Sequence, residues 1–253
     1  MITIKNEKAL ELMRISSKIV AKTIVHLRSL IKPGVSTADL DAEIEKFIQS
    51  QGARPAFKGL YGFPASACIS IDEEVVHGIP SRSRILKDGQ IVSVDVGAEY
   101  EGYFGDSAFT FSVGNVSVEK KNLMRATYEA LQEGIKKAVE GNRVQDISSA
   151  IQKYAEARGY SVVRELVGHG IGRKLHEDPQ VPNYGTPGRG PLLKQGMTLA
   201  IEPMINMGGK EVFTKNDKWT IVTADRKPSA HYEHTVFIQN GEPEILTENG
   251  LQP

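Results

Sequence analysis

Apolar residues recur at helical spacing at Leu10, Met13, Val20, Ile24 and Leu27, and the pattern stops at the breaker Pro33-Gly34. Ser36 or Thr37 is suited to cap a second helix that ends near Gly52. The same succession returns later: a helix from about Val118 to Glu140, a stop at Gly141, and another helix from about Val144 to Gly159. Between the two pairs, Ile91-Val92-Ser93-Val94-Asp95-Val96 alternates, with Ile91, Ser93 and Asp95 on one face and three valines on the other. A turn at Tyr100-Glu101-Gly102 folds this strand back onto Phe104 to Phe111, which carries Asp106. With the tip at Tyr100-Glu101 the two aspartates are directly opposed; with the tip at Glu101-Gly102 they are diagonal neighbours on one face. Either register brings the two carboxylates together.

The recurrence is a diluted duplication. Gly34, Asp39, Leu40, Ile44, Lys46, Phe47 and Gly52 fall on Gly141, Asp146, Ile147, Ile151, Lys153, Tyr154 and Gly159, always 107 positions apart. The same offset sets Leu86, Lys87, Gly89 and Asp95 on Leu193, Lys194, Gly196 and Glu202. The later half therefore predicts a strand from Thr198 to Met204 holding Glu202 and one from Tyr232 to Ile238 holding Glu233, joined by a longer excursion through Trp219. Two halves, roughly residues 1–115 and 116–253, are expected to share one core as a single domain over 1–253.

Charge and composition narrow the classes. The chain has 253 residues with 31 Lys+Arg against 31 Asp+Glu, a balance that favours neither nucleic acid nor a membrane surface as partner. Cys68 is the single cysteine, so no disulfide can form within the chain and no cysteine-rich metal cluster is available. No uncharged apolar run approaches the roughly 20 residues that span a bilayer. Lys5, Glu7, Lys8 and Glu11 stand where a signal peptide needs an apolar stretch, so a cytoplasmic, soluble protein is expected.

Two like charges across a hairpin destabilise it unless something neutralises them, and here Asp95, Asp106, Glu202 and Glu233 occupy corresponding positions in the two halves. Each could pair with a Lys or Arg. Four acids with a histidine in Gly168-His169-Gly170 also match a divalent transition-metal site, and bridging carboxylates can hold two ions roughly 3.5–4 Å apart. His77, His176, His231 and His234 lie in distinctive contexts as well, His234 reading as structural or supporting and His26 as an ordinary helix residue. There is no Gly-x-Ser-x-Gly elbow and no phosphate-cradling glycine loop, and Gly185 to Gly190 reads as a plain loop.

The ordered series Val76-His77-Gly78-Ile79-Pro80, Asp95-Val96-Gly97, Gly105-Asp106, Gly168-His169-Gly170-Ile171-Gly172, His176-Glu177, Ile201-Glu202-Pro203 and Tyr232-Glu233-His234-Thr235 closely resembles the methionine aminopeptidases of the bacterial type I form. The resemblance covers essentially the whole chain. It implies the α+β pita-bread (creatinase/aminopeptidase) fold, two pseudo-twofold-related halves around a central antiparallel sheet. It also implies two divalent ions per chain, Co, Mn, Fe or Zn, with Asp106 and Glu233 bridging, Asp95 on one ion and His169 and Glu202 on the other.

By the same matching, Glu202 would be the general base, His176 a donor to the developing oxyanion, and His77 a hydrogen-bond partner of the scissile amide. A methionine slot would be walled by Leu60, Phe63, Cys68, Leu175 and Trp219, with Leu60 and Leu175 standing where bacterial relatives more often have Tyr and Phe. The implied substrate is the N-terminal Met of nascent peptides when the second residue is small, with a transient ribosome contact and a monomeric state. Prolidases and proline-specific aminopeptidases share the fold and the ligand set but carry a large additional N-terminal domain. A non-enzymatic pita-bread binding protein would be expected to have lost ligands and gained basic extensions.

Overall fold

The computed structural model describes residues 2–253. Four helices form where the capping and periodicity place them: α1, Glu7–Leu27; α2, Thr37–Ser50; α3, Val118–Ile135; and α4, Val144–Glu156. Asn6 caps α1 by accepting from the Ala9 N–H at 2.9 Å, and Ser36 caps α2 by accepting from the Asp39 N–H at 3.1 Å. Helix α3 stops short of the expected Glu140. The N–H groups of Lys137 and Ala138 bond three residues back, to Gly134 and Ile135, and this tighter turn unwinds the helix before Gly141.

The duplication is present bond for bond. Gly34 N–H donates to the Leu86 carbonyl at 2.9 Å and Gly141 N–H to that of Leu193 at 3.1 Å. Leu86 then donates to Val35 at 2.9 Å and Leu193 to Asn142 at 2.8 Å, each atom again 107 residues from its counterpart. Gly34 and Gly141 share a left-handed φ, +91° and +90°, which lets the chain turn sharply into the next helix at no steric cost.

Strands Ile91–Tyr100 and Tyr103–Ser112 form the longest hairpin, and α1 packs across both. Tyr100 pairs with Tyr103, so the tip is Glu101-Gly102, both with positive φ as a two-residue hairpin turn demands. Asp95 faces Ala108 and Asp106 faces Gly97, which is the diagonal register.

The second half departs from expectation in one respect. Thr198 to Met204 is not one strand but two: Thr198–Ile201 pairs with His234–Phe237 in a five-stranded sheet, and Met204–Asn206 pairs with Ser229–His231 in a different one. Glu202 and Glu233 therefore sit at the two points where the chain passes between sheets, not within strands. Pro203 has no N–H to continue a ladder. Glu233 N–H instead donates across to the Ala108 carbonyl of the first hairpin at 2.9 Å.

One hydrophobic cluster draws Ile24, Leu27, Ile44, Val92 and Val94 together with Leu131, Ile147, Ile151, Leu199 and Val236. A smaller cluster, including Met13, Phe57, Phe63, Cys68, Ile171 and Leu175, lies apart from it and forms one side of the site.

Candidate active site

The hairpin that carries Asp95 and Asp106 is stitched to the segment from Glu233 to Thr235 in the other half. Ser107 donates its hydroxyl to the Glu233 carbonyl at 2.5 Å, and the Thr235 hydroxyl bonds the backbone of Asp106. As a result Asp106, His169 and Glu233, all buried, present one ligand atom each within 4.8 Å of one another. Glu202 Oε1 is 3.6 Å from His169 Nε2, and the Asp95 carboxyl lies near enough to Asp106 to oppose its ionisation. Among the described residues the basic side chains within 4 Å of Asp106 and Glu202 are histidines, so no Lys or Arg neutralises these acids there. Asp95 Oδ1, Asp106 Oδ1 and Glu233 Oε1 are buried without any hydrogen-bond partner. Orphaned carboxylate oxygens converging on an imidazole nitrogen are what a divalent cation requires, and the donor set fits one.

His169 is held for that task by its neighbours. Its strand, Val167–Gly170, lies between Thr198–Ile201 and Glu177–Pro182, where a Cβ on Gly168 would come within 2.4 Å of the Ala200 carbonyl oxygen. Its Nδ1 donates to the Gly170 carbonyl at 2.9 Å, which leaves Nε2 as the lone-pair nitrogen facing Asp106 and Glu202.

His77 has the unusual φ of +57°. Gly78 beyond it presses on the neighbouring strand so closely that a Cβ would sit 2.2 Å from the Ile69 carbonyl oxygen. Strain of this kind persists where the surroundings enforce it and often marks a working residue.

The twelve residues given a ligand, catalytic or pocket role by the resemblance line one cavity of about 840 Å³: Leu60, Phe63, Cys68, His77, Asp95, Asp106, His169, Leu175, His176, Glu202, Trp219 and Glu233. Trp219 reaches it because the strand Ile221–Thr223 pairs with Glu74–Val76, beside His77. Asp217 accepts from the Trp219 and Thr220 N–H groups at 2.9 and 2.8 Å and fixes the turn before that strand. The indole meets Phe63 edge-on at 5.1 Å and His77 at 6.5 Å. His176 stands at the mouth, perpendicular to His169 at 4.5 Å and stacked on the exposed Tyr61 at 5.9 Å.

Comparison with known proteins agrees with this geometry. The pattern of metallopeptidase family M24 matches residues 11–240. The chain belongs to metallopeptidase family M24. It is 56% identical to a methionine aminopeptidase of Clostridium perfringens over 98% of this chain and 99% of that one. It is 53% identical to methionine aminopeptidase 1 of Bacillus subtilis over the same shares. The crystal structure of methionine aminopeptidase from Thermotoga maritima superposes with a TM-score of 0.97 at 46% identity, covering 98% of this chain and all of that one. The α+β pita-bread arrangement is thus the one this M24 chain adopts.

The electrostatics suit a metallopeptidase. Burial pushes Asp95 up to about 7 and Glu202 up to about 8, and burial with neighbouring carboxylates drives Asp106 and Glu233 well above the ordinary range. Burial, with neighbouring imidazoles adding to it, lowers His77 and His169 to about 4, so both are neutral at pH 7. Four acids that resist ionising and a neutral imidazole make a site that gains from a cation.

Sequence reasoning assigned no task to Tyr61 or to His231. Tyr61 carries a φ of +51° between Gly59 and Gly62, which no periodicity marks. His231 is fully buried with its Nε2 3.6 Å from Glu202 Oε2, and its position two residues before Glu233 was the available signal. His234 is buried and bonds Thr247 Oγ1 through Nδ1 at 3.0 Å.

Proposed function

We propose that this M24 metallopeptidase removes the initiator methionine from nascent proteins whose second residue is small. The observation that carries the reading is the buried Asp106-His169-Glu233 group opening into a cavity walled by Phe63, Cys68, Leu175 and Trp219. Asp95, Asp106, His169, Glu202 and Glu233 would hold two divalent ions drawn from Co, Mn, Fe and Zn. When bound, the ions supply Lewis acidity to a water and to the amide carbonyl.

This chain's own groups do the rest. Glu202 accepts a proton from the attacking water and delivers it to the leaving nitrogen, a task suited to a carboxylate that lines the cavity beside His169. His77, neutral and held by its strained backbone, bonds the scissile amide and orients it. His176, at the cavity mouth, donates to the oxyanion that develops on the carbonyl oxygen. Leu60, Phe63, Cys68, Leu175 and Trp219 take up the thioether side chain. A sulfur and an aromatic edge are favourable partners for it.

The core shared by both halves supports reading 1–253 as one catalytic domain with internal halves of roughly 1–115 and 116–253. Among the described residues no helix is long and apolar enough to cross a membrane. A substrate class of chains leaving the ribosome supports a cytoplasmic location and a transient ribosome contact, and the monomeric state is what the resemblance implies. Release of the first residue from Met-Ala-Ser but not from Ala-Pro-Ala is the expected outcome with cobalt-loaded protein. Cleavage of Ala-Pro-Ala alone would move the chain to the proline-specific branch, and cleavage of neither would leave a binding protein.

A further inference from the structure

The Glu202 carboxylate lies between two imidazoles, one per oxygen. Oε1 is 3.6 Å from His169 Nε2 and Oε2 is 3.6 Å from His231 Nε2. The distances are equal but the chemistry is opposite. His169 has its Nδ1 proton committed to the Gly170 carbonyl, so its Nε2 offers a lone pair and needs a cation between itself and the carboxylate. His231 Nε2 has no hydrogen-bond partner and is buried, with the residue only 1% exposed. The ring is closed off from solvent. A buried ring nitrogen left unpaired is costly, and the acceptor within reach is Glu202 Oε2.

The backbone of His231 is fixed. Its N–H donates to Thr110 Oγ1 at 3.0 Å, its carbonyl accepts from the same hydroxyl at 2.8 Å, and its strand pairs it with Met204. Thr110 Oγ1 is in turn 2.8 Å from Ser93 Oγ; since the Thr110 proton goes to His231, Ser93 is the donor. A ring anchored in this way can aim a mobile carboxylate. A movement of Glu202 by roughly 0.6 Å closes the gap to an ordinary hydrogen bond, and such contacts commonly tighten on loading.

We infer that His231 is a positioning residue for Glu202: its Nε2–H donates to Oε2 and holds the carboxylate with Oε1 turned toward the cation site. The inference rests on the reading of Glu202 as base and ligand. It assigns to His231 neither a metal bond nor a proton-transfer step.

The test compares His231→Ala, His231→Gln, Glu202→Gln and the double variant His231→Ala/Glu202→Gln. The readouts are kcat and KM on Met-Ala-Ser with Co2+, and the calorimetric Kd for Co2+ alone. Losing an outer support of a metal site typically costs about 10–100-fold in affinity or activity. His231→Ala is expected to lower kcat by about that factor with KM within about threefold, and to weaken Co2+ binding about tenfold. His231→Gln, whose amide N–H reaches toward the same oxygen, should recover kcat to within about fivefold of the parent. The double variant should be no worse than Glu202→Gln alone, as groups acting through one another are not additive.

Unchanged kcat and Kd in His231→Ala, with Glu202→Gln inactive, would overturn the inference and leave the reading of Glu202 standing. A glutamine variant as impaired as the alanine one would overturn it in favour of a role only imidazole can fill. Full activity in Glu202→Gln would remove the reading and the inference with it. If His231→Ala does not fold, His231→Asn, too short to reach Glu202, takes its place.

Discussion

The Thr235 hydroxyl clasps the backbone of Asp106 from both sides, accepting from its N–H at 3.1 Å and donating to its carbonyl at 2.8 Å. Thr235 follows Glu233 by two residues, so this clasp sets the separation of two acids that come from different halves of the chain. The metal-binding geometry thus depends on a neutral side chain that would never touch the ion.

Thr235→Val keeps the shape and removes the clasp. It leaves two buried backbone groups of Asp106 without these partners, at roughly 1–3 kcal/mol each. For a chain of this length that corresponds to a Tm lower by at least about 4 °C. Thr235→Ser should retain most of the stability. Equal Tm values for the valine variant and the parent in thermal unfolding would show that the clasp carries little.

The four acids make the stability of the metal-free protein depend on pH with a definite sign. Asp95 and Glu202 titrate at about 7 and about 8 in the folded state, whereas unfolded carboxylates titrate near 4. The folded chain therefore binds more protons in between, and stability falls as pH rises through the folded values. His77 and His169, lowered to about 4, act oppositely, but only below about pH 6.5, where unfolded histidine titrates. Between pH 6.5 and 8.5 the carboxylates set most of the slope, and the raised Cys68 thiol adds to it with the same sign at the upper end. The Tm of stripped protein should drop across that window, and saturating Co2+ should flatten the drop by supplying the missing positive charge. A Tm that rises over the window in stripped protein would contradict this reading.

Asp106→Asn separates binding from stability. Beside Asp95, Glu202 and Glu233 the buried carboxyl must either hold a like charge or take up a proton on folding, and the amide needs neither. The stripped variant at pH 8 should melt higher than the parent by at least about 2–4 °C, the scale of 1 kcal/mol here. Calorimetric Co2+ binding should be lost or severely weakened. A variant that melts lower, or that binds Co2+ as the parent does, would argue that Asp106 is an ordinary structural acid.

His176→Ala addresses the reaction itself. Loss of an oxyanion donor costs roughly 10²–10³ in kcat with a smaller change in KM. The stack on Tyr61 and the contact with His169 place the ring at the mouth without tying it into the core, so the fold should survive. Unchanged kcat on Met-Ala-Ser would take this role from His176.

Much of this was legible in the chain because the signals are local or repeated. Ser36 and Gly34 announce a helix start, and the 107-residue offset carries that pattern to Arg143 and Gly141. Glu101-Gly102 announces a hairpin, although which of two registers it takes is decided by φ at the tip. The breaks at Glu202 and Glu233 were hidden because both flanks read as strand, and only the packing of two sheets decides that the chain changes partners there. His231 was hidden for a related reason: its importance lies in a contact with Glu202, 29 positions earlier, made across that same break. The individual roles of the pocket residues came from resemblance to a family, since no spacing in the chain distinguishes Leu60 or Leu175 from core leucines.

The measurement that bears most directly on the whole account is removal and return of the metal. Protein stripped by chelation should release no methionine from Met-Ala-Ser, and Co2+ added stepwise should restore the reaction, reaching its plateau by two equivalents per chain. Cleavage that persists at the parent rate in protein shown by elemental analysis to be metal-free would contradict it.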